Sequence, residues 1–90
     1  MEVLIEGGGR KHTLDEDQRW ILAGELAKVK STRSTHGVLP KLAPDCTIKI
    51  HGSGWTESYE IYARSILRET SSNEVWQFYF GLIVLEWLYS

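Results

Sequence analysis

The amino-acid sequence predicts a small α+β domain, and three features of the chain lead to that fold class. A segment near the N-terminus has the capping and apolar spacing of a helix. Two stretches in the middle alternate apolar and polar residues, as half-buried strands do. An aromatic-rich C-terminal stretch supplies large side chains for a core. Ninety residues suit one core, so residues 1–90 are predicted to form a single globular domain.

The first third of the chain predicts a strand and then a helix. MEVLIE has β-branched and apolar residues in its middle, and a run of three glycines ends it. TLDE at 13–16 matches a capping box, with Thr13 as the cap and Glu16 reaching back to the Thr13 N–H. Acidic residues in the first turn and lysines near the other end suit the helix dipole. We expect the helix to cover about residues 14–30.

The middle of the chain predicts a loop and two strands. Residues 31–45 are rich in serine and threonine and contain both prolines, so a long loop is expected. CTIKIH at 46–51 alternates as a half-buried strand does, and GSG at 52–54 is a turn. The stretch 55–68 also alternates throughout, which indicates one long strand. A loop of hairpin length follows at 69–73.

The C-terminal stretch EVWQFYFGLIVLEWLYS raises the question of a membrane segment. A spanning helix needs about 20 apolar residues, and this run is shorter and is interrupted by Gln77, Gly81 and Glu86. A single strand of this length would be too long for the domain, so Gly81 is the expected break. VWQFYF favours a strand, and 82–89 favours a short, mostly buried helix. One more strand is the alternative for 82–89, because it contains an isoleucine and a valine.

The predicted order of elements is therefore β-α-β-β-β-α. Three consecutive strands favour an antiparallel meander, so the sheet is expected to be mostly antiparallel, with the helices packed on one face. The first strand would join this sheet through a helical crossover, which should be right-handed if the strand lies parallel to its neighbour.

Charge and cysteine content restrict the class of protein. A net charge of −2 and a sequence pI of about 5.9 argue against a general nucleic-acid binder. A single cysteine, Cys46, excludes an internal disulfide, whereas small secreted domains usually depend on disulfides. The N-terminal residues contain no apolar run of signal-peptide length. We therefore expect a cytoplasmic protein with no membrane segment.

No local pattern predicts a catalytic, cofactor or metal site. The glycines before the helix lack the phosphate-binding spacing GxxxxGK[ST], and the acids of the first helical turn would repel a phosphate. His12, His36, His51 and Cys46 have no zinc-site spacing. On one strand Cys46 and His51 point to opposite faces and cannot form a dyad, and Ser53 lies in a glycine-rich turn. We expect no cofactor, no metal and no enzymatic activity.

Glu86 lies inside the apolar run LIVLEWLYS, and two interpretations of it stay open. The first is a solvated carboxylate that marks the wet edge of the terminal element. The second is a buried carboxylate paired with Arg19, Arg64 or Arg68, since an unpaired buried charge is costly. Either way a structural role is favoured over a catalytic one.

The surfaces most suited to a partner are a basic segment and a set of aromatic side chains. Residues 27–44 contain four cations and no acid, whereas the rest of the chain has six cations and twelve acids. The basic candidates are Lys28, Lys30, Arg33 and Lys41. The aromatic candidates are whichever of Trp55, Tyr62, Trp76, Trp87 and also Trp20 are left exposed.

These observations favour a small non-enzymatic protein-interaction domain of the inhibitor, immunity-type or accessory class. It would act by binding another protein or itself, as in a homodimer. The alternative is a nucleic-acid-associated protein that uses the basic 28–41 segment. That alternative is less favoured because no aromatic residue for base stacking is interleaved between Lys28 and Lys41.

Overall fold

The computed structural model describes residues 1–33, 39–78 and 83–89, and within them the chain has an α+β fold. In chain order the elements are β1 (Glu2–Gly7), β2 (Arg10–Thr13), α1 (Glu16–Lys30), β3 (Cys46–Gly52), β4 (Trp55–Tyr62), β5 (Ile66–Glu69), β6 (Val75–Gln77) and α2 (Ile83–Tyr89). The strands form one 6-stranded sheet in the order β2-β1-β3-β4-β5-β6. Every neighbouring pair is antiparallel, which confirms the predicted mostly antiparallel sheet.

The predicted β-α-β-β-β-α order with both helices packed on one face does not match this structure. The prediction misses β2 and joins β4 to β5, so the sheet has more strands than expected. The first strand pairs antiparallel with β3. Between these two strands the chain forms the β1–β2 hairpin and then α1, so the predicted crossover to a parallel neighbour is absent from the described residues. α2 contacts β1 and β2 at one edge of the sheet, whereas α1 reaches β6 at the other edge.

β2 forms because the chain reverses sharply in the glycine run. Gly8 and Gly9 have φ angles of 56° and 78°, in the left-handed region that glycine enters without a steric penalty. The turn places Arg10 opposite Gly7 and Thr13 opposite Leu4. Residues 10–13, for which the sequence predicts no strand, therefore form one of the two edge strands of the sheet.

The cap of α1 lies two residues beyond the predicted one. The Gln18 N–H donates to Asp15 Oδ1 at 2.8 Å, and Gln18 Oε1 accepts from the Asp15 N–H at 3.1 Å. This is a reciprocal capping box, but Thr13 cannot serve in it because it belongs to β2. The helix then ends at Lys30, as predicted.

The stretch 55–68 is a hairpin and not one strand. Ala63 and Arg64 have φ angles of 51° and 55°, and they turn the chain between β4 and β5. The Asp45 carboxylate accepts from the Arg64 N–H at 2.8 Å and supports this strained turn. Ile61 pairs with Leu67 and Tyr62 with Ile66, so odd-numbered residues lie on the same face of the sheet before and after the turn. The alternation of apolar and polar residues in the sequence therefore continues through the turn.

The core is built on one face of the sheet. Cys46 lies opposite Ile61, which lies opposite Leu67, which lies opposite Trp76, so one buried row crosses β3 to β6. A second row crosses β1, β3 and β4 through Ile5, Ile48 and Tyr59. Helical residues complete the same cluster, namely Leu22, Leu26 and Val29 of α1 and Val84 and Leu88 of α2.

The C-terminal run contains a strand and then a short helix, but β6 ends at Gln77, before the end of the predicted strand. Trp76 and Phe78 are buried in the core, and residues 83–89 form α2, which confirms the helix and not the alternative strand. Phe80 and the predicted break at Gly81 lie outside the described residues. Neither helix of the described chain has the length and apolarity needed to cross a membrane.

Two glycines allow the packing around β1 to be tested. A Cβ atom on Gly7 would lie 2.2 Å from the Asp45 carbonyl oxygen and 2.9 Å from Leu88 Cδ2, whereas a Cβ on Gly24 in α1 would meet nothing within 4 Å. We expect Gly7→Ala to lower the free energy of unfolding by about 1–3 kcal/mol, since backbone must move. Gly24→Ala should raise it by about 0.5–1 kcal/mol, because alanine favours a helix.

Urea unfolding at low protein concentration measures both changes. A neutral Gly7→Ala would contradict the close approach of β1 to the backbone that precedes β3.

Candidate functional site

The helix α1 has large apolar residues on its exposed side as well as on its buried side. Its inner side buries Leu22, Leu26 and Val29 in the core. On its outer side Trp20 is 75% exposed and Ile21 is 47% exposed. The exposed side of a surface helix is normally charged or polar. The outer side of α1 is therefore the most unusual surface among the described residues.

An open groove of about 370 Å³ runs between α1 and the inner face of the sheet. α1 contributes Arg19, Ala23 and Ala27 to its lining, and β4 contributes Trp55 and Tyr59. The two alanines are too small to close the gap between helix and sheet. A recess beside the groove shares Arg19 and Ala23 with it and is bounded by Met1 and Trp20. Groove, recess and outer side of α1 form one continuous surface, called here the α1 surface.

Trp55 flanks this surface at the tip of the β3–β4 hairpin. Its side chain is 48% exposed, and it lies opposite Gly52 across the two strands. A Cβ atom on Gly52 would come within 2.0 Å of the indole ring, so the ring rests directly on the glycine. The exposed indole is therefore packed against its cross-strand partner.

A polar network closes the end of the groove at the last turn of α1. Lys30 Nζ donates to Glu69 Oε2 at 2.7 Å and to the Tyr59 hydroxyl at 3.1 Å, and it lies 5.3 Å from the Tyr59 ring centroid. The Tyr59 hydroxyl donates to Glu57 at 3.3 Å. The Lys30 hydrogen bond is the main reason why the pKa of Glu69 is lowered, and the Glu69 hydrogen bond raises the pKa of Lys30. Burial raises the pKa of Tyr59.

The four basic residues predicted to bind a partner are all exposed, and the ammonium group of Lys30 is also engaged with the sheet. Lys28, Arg33 and Lys41 are exposed. The ammonium group of Lys30 is engaged with Glu69 and Tyr59, so it fastens α1 to the sheet. The basic segment is therefore less available as a whole than its sequence indicates.

The aromatic residues predicted to bind a partner divide between surface and core. Trp55 is exposed. Tyr62 is 8% exposed and Trp76 is 3% exposed, and Trp87 is partly buried against the core. Trp20, which the sequence favours only if it is left exposed, is the most exposed large apolar side chain of the described residues. Its signal in the sequence is its position, out of phase with Leu22 and Leu26 on the helix.

Cys46 and His51 are not assembled into a site. Cys46 is buried, and burial followed by the charge of Asp45 raises the pKa of its thiol to about 12. His51 lies at the exposed end of β3, where Nδ1 is 3.3 Å from Thr56 Oγ1. Within the described ranges no three His, Cys, Asp or Glu side chains are grouped to hold a metal ion.

Glu86 is exposed in the first turn of α2, so its interpretation as a buried, arginine-paired carboxylate is wrong. Arg68 is bound instead to Glu60 and Asn73. The carboxylate that has a structural role near α2 is Glu25 of α1, whose two oxygens each accept from the Ile83 N–H at 3.2 Å. Burial, more than the nearby charge of Glu86, raises the pKa of Glu25.

No protein-family model, characterised protein or solved structure matches this chain.

The burial of Cys46 predicts an unreactive thiol. We expect its reaction with a disulfide reagent at pH 8 to be at least about 100-fold slower in the native protein than in the urea-unfolded chain, because both access and thiolate fraction are reduced. The rate of thiol release, followed by absorbance, measures this. Equal rates in the two states would contradict the buried position of Cys46.

The Lys30–Glu69 pair predicts a pH-dependent contribution to stability. The pKa of Glu69 is lowered from its ordinary value of 4.5, so the pair stabilises the fold above that pH and is lost as pH falls through the lower native pKa. Glu69→Gln should lower the free energy of unfolding at pH 7 by roughly 0.5–1 kcal/mol, since the pair is partly solvated. This difference from the unmutated chain should shrink steadily below pH 4.5.

Urea unfolding between pH 7 and pH 3 provides the measurement. Glu74→Gln, at an exposed carboxylate nearby in the chain, is the matched control and should differ little from the unmutated chain at any pH. A deficit in Glu69→Gln that stays constant down to pH 3 would mean that the ion pair is not its cause.

Proposed function

We propose that this chain is a non-enzymatic protein-interaction domain, of the inhibitor or accessory class, that binds a protein through the α1 surface. The observation that carries the proposal is the exposure of Trp20, at 75%, beside an open groove of about 370 Å³. An indole so placed is the kind of side chain that dominates binding energy at protein interfaces.

The composition of the α1 surface supports this proposal. Tryptophan, methionine and arginine are enriched at protein interfaces, and the surface contains Trp20, Trp55, Met1 and Arg19. The exposed indole of Trp20 alone would contribute about 3 kcal/mol if a partner removed it from water.

The geometry of the surface supports a protein partner more than a nucleic acid. The ammonium group of Lys30 is held by Glu69 and Tyr59, so the 28–41 segment has fewer available cations than the nucleic-acid alternative requires. Trp20 lies among acidic residues at the first turn of the helix, where Glu16 and Asp17 would repel a phosphate backbone.

Affinity capture with a Trp20 variant tests the proposal. The tagged chain is used to capture proteins from its host, the main captured protein is identified by mass spectrometry, and the pair is then reconstituted from purified components. We expect Trp20→Ser to weaken the reconstituted complex by at least about 10-fold, because an interface tryptophan is lost.

The matched control for this experiment is Leu42→Ser, which removes another side chain that is 70% exposed but lies in the loop before β3. It should leave the affinity unchanged. Equal affinities of the Trp20→Ser variant and the unmutated chain would overturn the proposal that this surface binds the partner.

A further inference from the structure

We propose that the protein which covers the outer side of α1 is a second copy of this chain, with the two α1 helices packed antiparallel about a two-fold axis near Gly24. This inference rests on the proposed function and specifies its partner. Three observations support it: the arrangement of large and small residues on the helix, the arrangement of its charges, and the adjoining groove.

The outer side of α1 is complementary to itself in shape. Trp20, Gly24 and Ala27 follow one another at helical spacing on that side, and all three are exposed. A two-fold axis between positions 23 and 24 sets Trp20 of one copy over Ala27 of the other, and the reverse. The small residues at the crossing let the helices approach, while each indole fills the space above the alanine of the other copy. A two-fold interface requires self-complementarity of this kind.

The charges of α1 also favour an antiparallel second copy. The exposed Asp17 lies in the first turn and the exposed Lys28 lies in the last turn. In the antiparallel pair Asp17 of each copy falls within about 3 Å, along the helix axis, of Lys28 of the other copy, given a rise of 1.5 Å per residue. Each pair of opposite charges is thus within reach, and the helix dipoles run in opposite directions.

The groove gives the incoming indole a place to pack. Ala23 and Ala27 line its mouth, so an indole placed over Ala27 also covers the opening between helix and sheet. In the dimer, the Trp20 side chain of each copy and the groove of the other copy would then cover each other and exclude water. An interface limited to one helix face is small, so the expected dissociation constant is weak, on the order of 10 μM.

Sedimentation equilibrium on the full chain, from about 2 μM to about 1 mM, tests the inference because this range brackets the expected dissociation constant. The unmutated chain should convert from monomer to dimer across the range. Trp20→Ser should weaken self-association by at least about 10-fold, as expected for a central interface tryptophan. Leu42→Ser is the apolar control and should associate as the unmutated chain does.

A charge exchange makes the test specific to the antiparallel arrangement. Asp17→Lys alone and Lys28→Glu alone should each weaken self-association by about 10-fold. In a dimer of either variant, positions 17 and 28 that face each other have the same sign of charge. Mixing the two single variants should restore dimers. In a mixed dimer the new lysine at 17 faces the new glutamate at 28, and the unchanged Asp17 faces the unchanged Lys28. Glu74→Lys and Lys11→Glu, which lie outside α1, are the charge controls and should have no effect.

Three results would overturn the inference: a chain that stays monomeric to 1 mM, a dimer unaffected by Trp20→Ser, or single variants whose mixture does not associate. The first of these leaves the proposed function standing if the reconstituted complex with another protein still depends on Trp20. If neither self-association nor Trp20-dependent binding is found, both proposals fail. Circular dichroism of each variant confirms that it is folded.

Discussion

The register of the inner face of the sheet is the constraint on which the rest of the structure depends. Cys46, Ile61, Leu67 and Trp76 lie side by side on successive strands, and each is at most 3% exposed. Because side chains alternate with a period of two, a slip of one residue on any strand would turn its apolar side chains to the polar face. The tight turn at Gly54 sets the register of β3 against β4, and the turn at Ala63 sets the register of β4 against β5.

The position of α1 follows from that sheet and explains its unusual exposed side. Leu22, Leu26 and Val29 bury the inner side against the core, and Lys30 fastens the last turn to β5 through Glu69. Glu25 joins the helix to the first residue of α2. With its C-terminal half held at Glu25 and Lys30, α1 cannot rotate to bury Trp20 without exposing the leucines. The exposed indole is therefore a consequence of the packing and not of a loosely placed side chain.

Sequence patterns predict the elements that have local signals of their own. The end of α1, the strand at 46–51 and the short terminal helix all appear in the structure close to their predicted places. The sequence does not predict β2, because its four residues, RKHT, show no alternation of apolar and polar side chains. They form a strand because they pair with β1. The sequence does not predict the turn at Ala63, because the alternation of apolar and polar residues is the same before and after it. In both cases the information lies in long-range pairing and not in the local sequence.

The candidate surface was only partly predictable for a related reason. The aromatic residues with the most apolar neighbours in sequence, such as Trp76 and Phe78, are those that the core absorbs. Trp20 instead follows the polar stretch 15–19, and Trp55 stands between Gly54 and Thr56; both are exposed. An exposed tryptophan such as Trp20, held on a rigid helix beside an unfilled groove, is where binding of a second protein gains the most apolar burial.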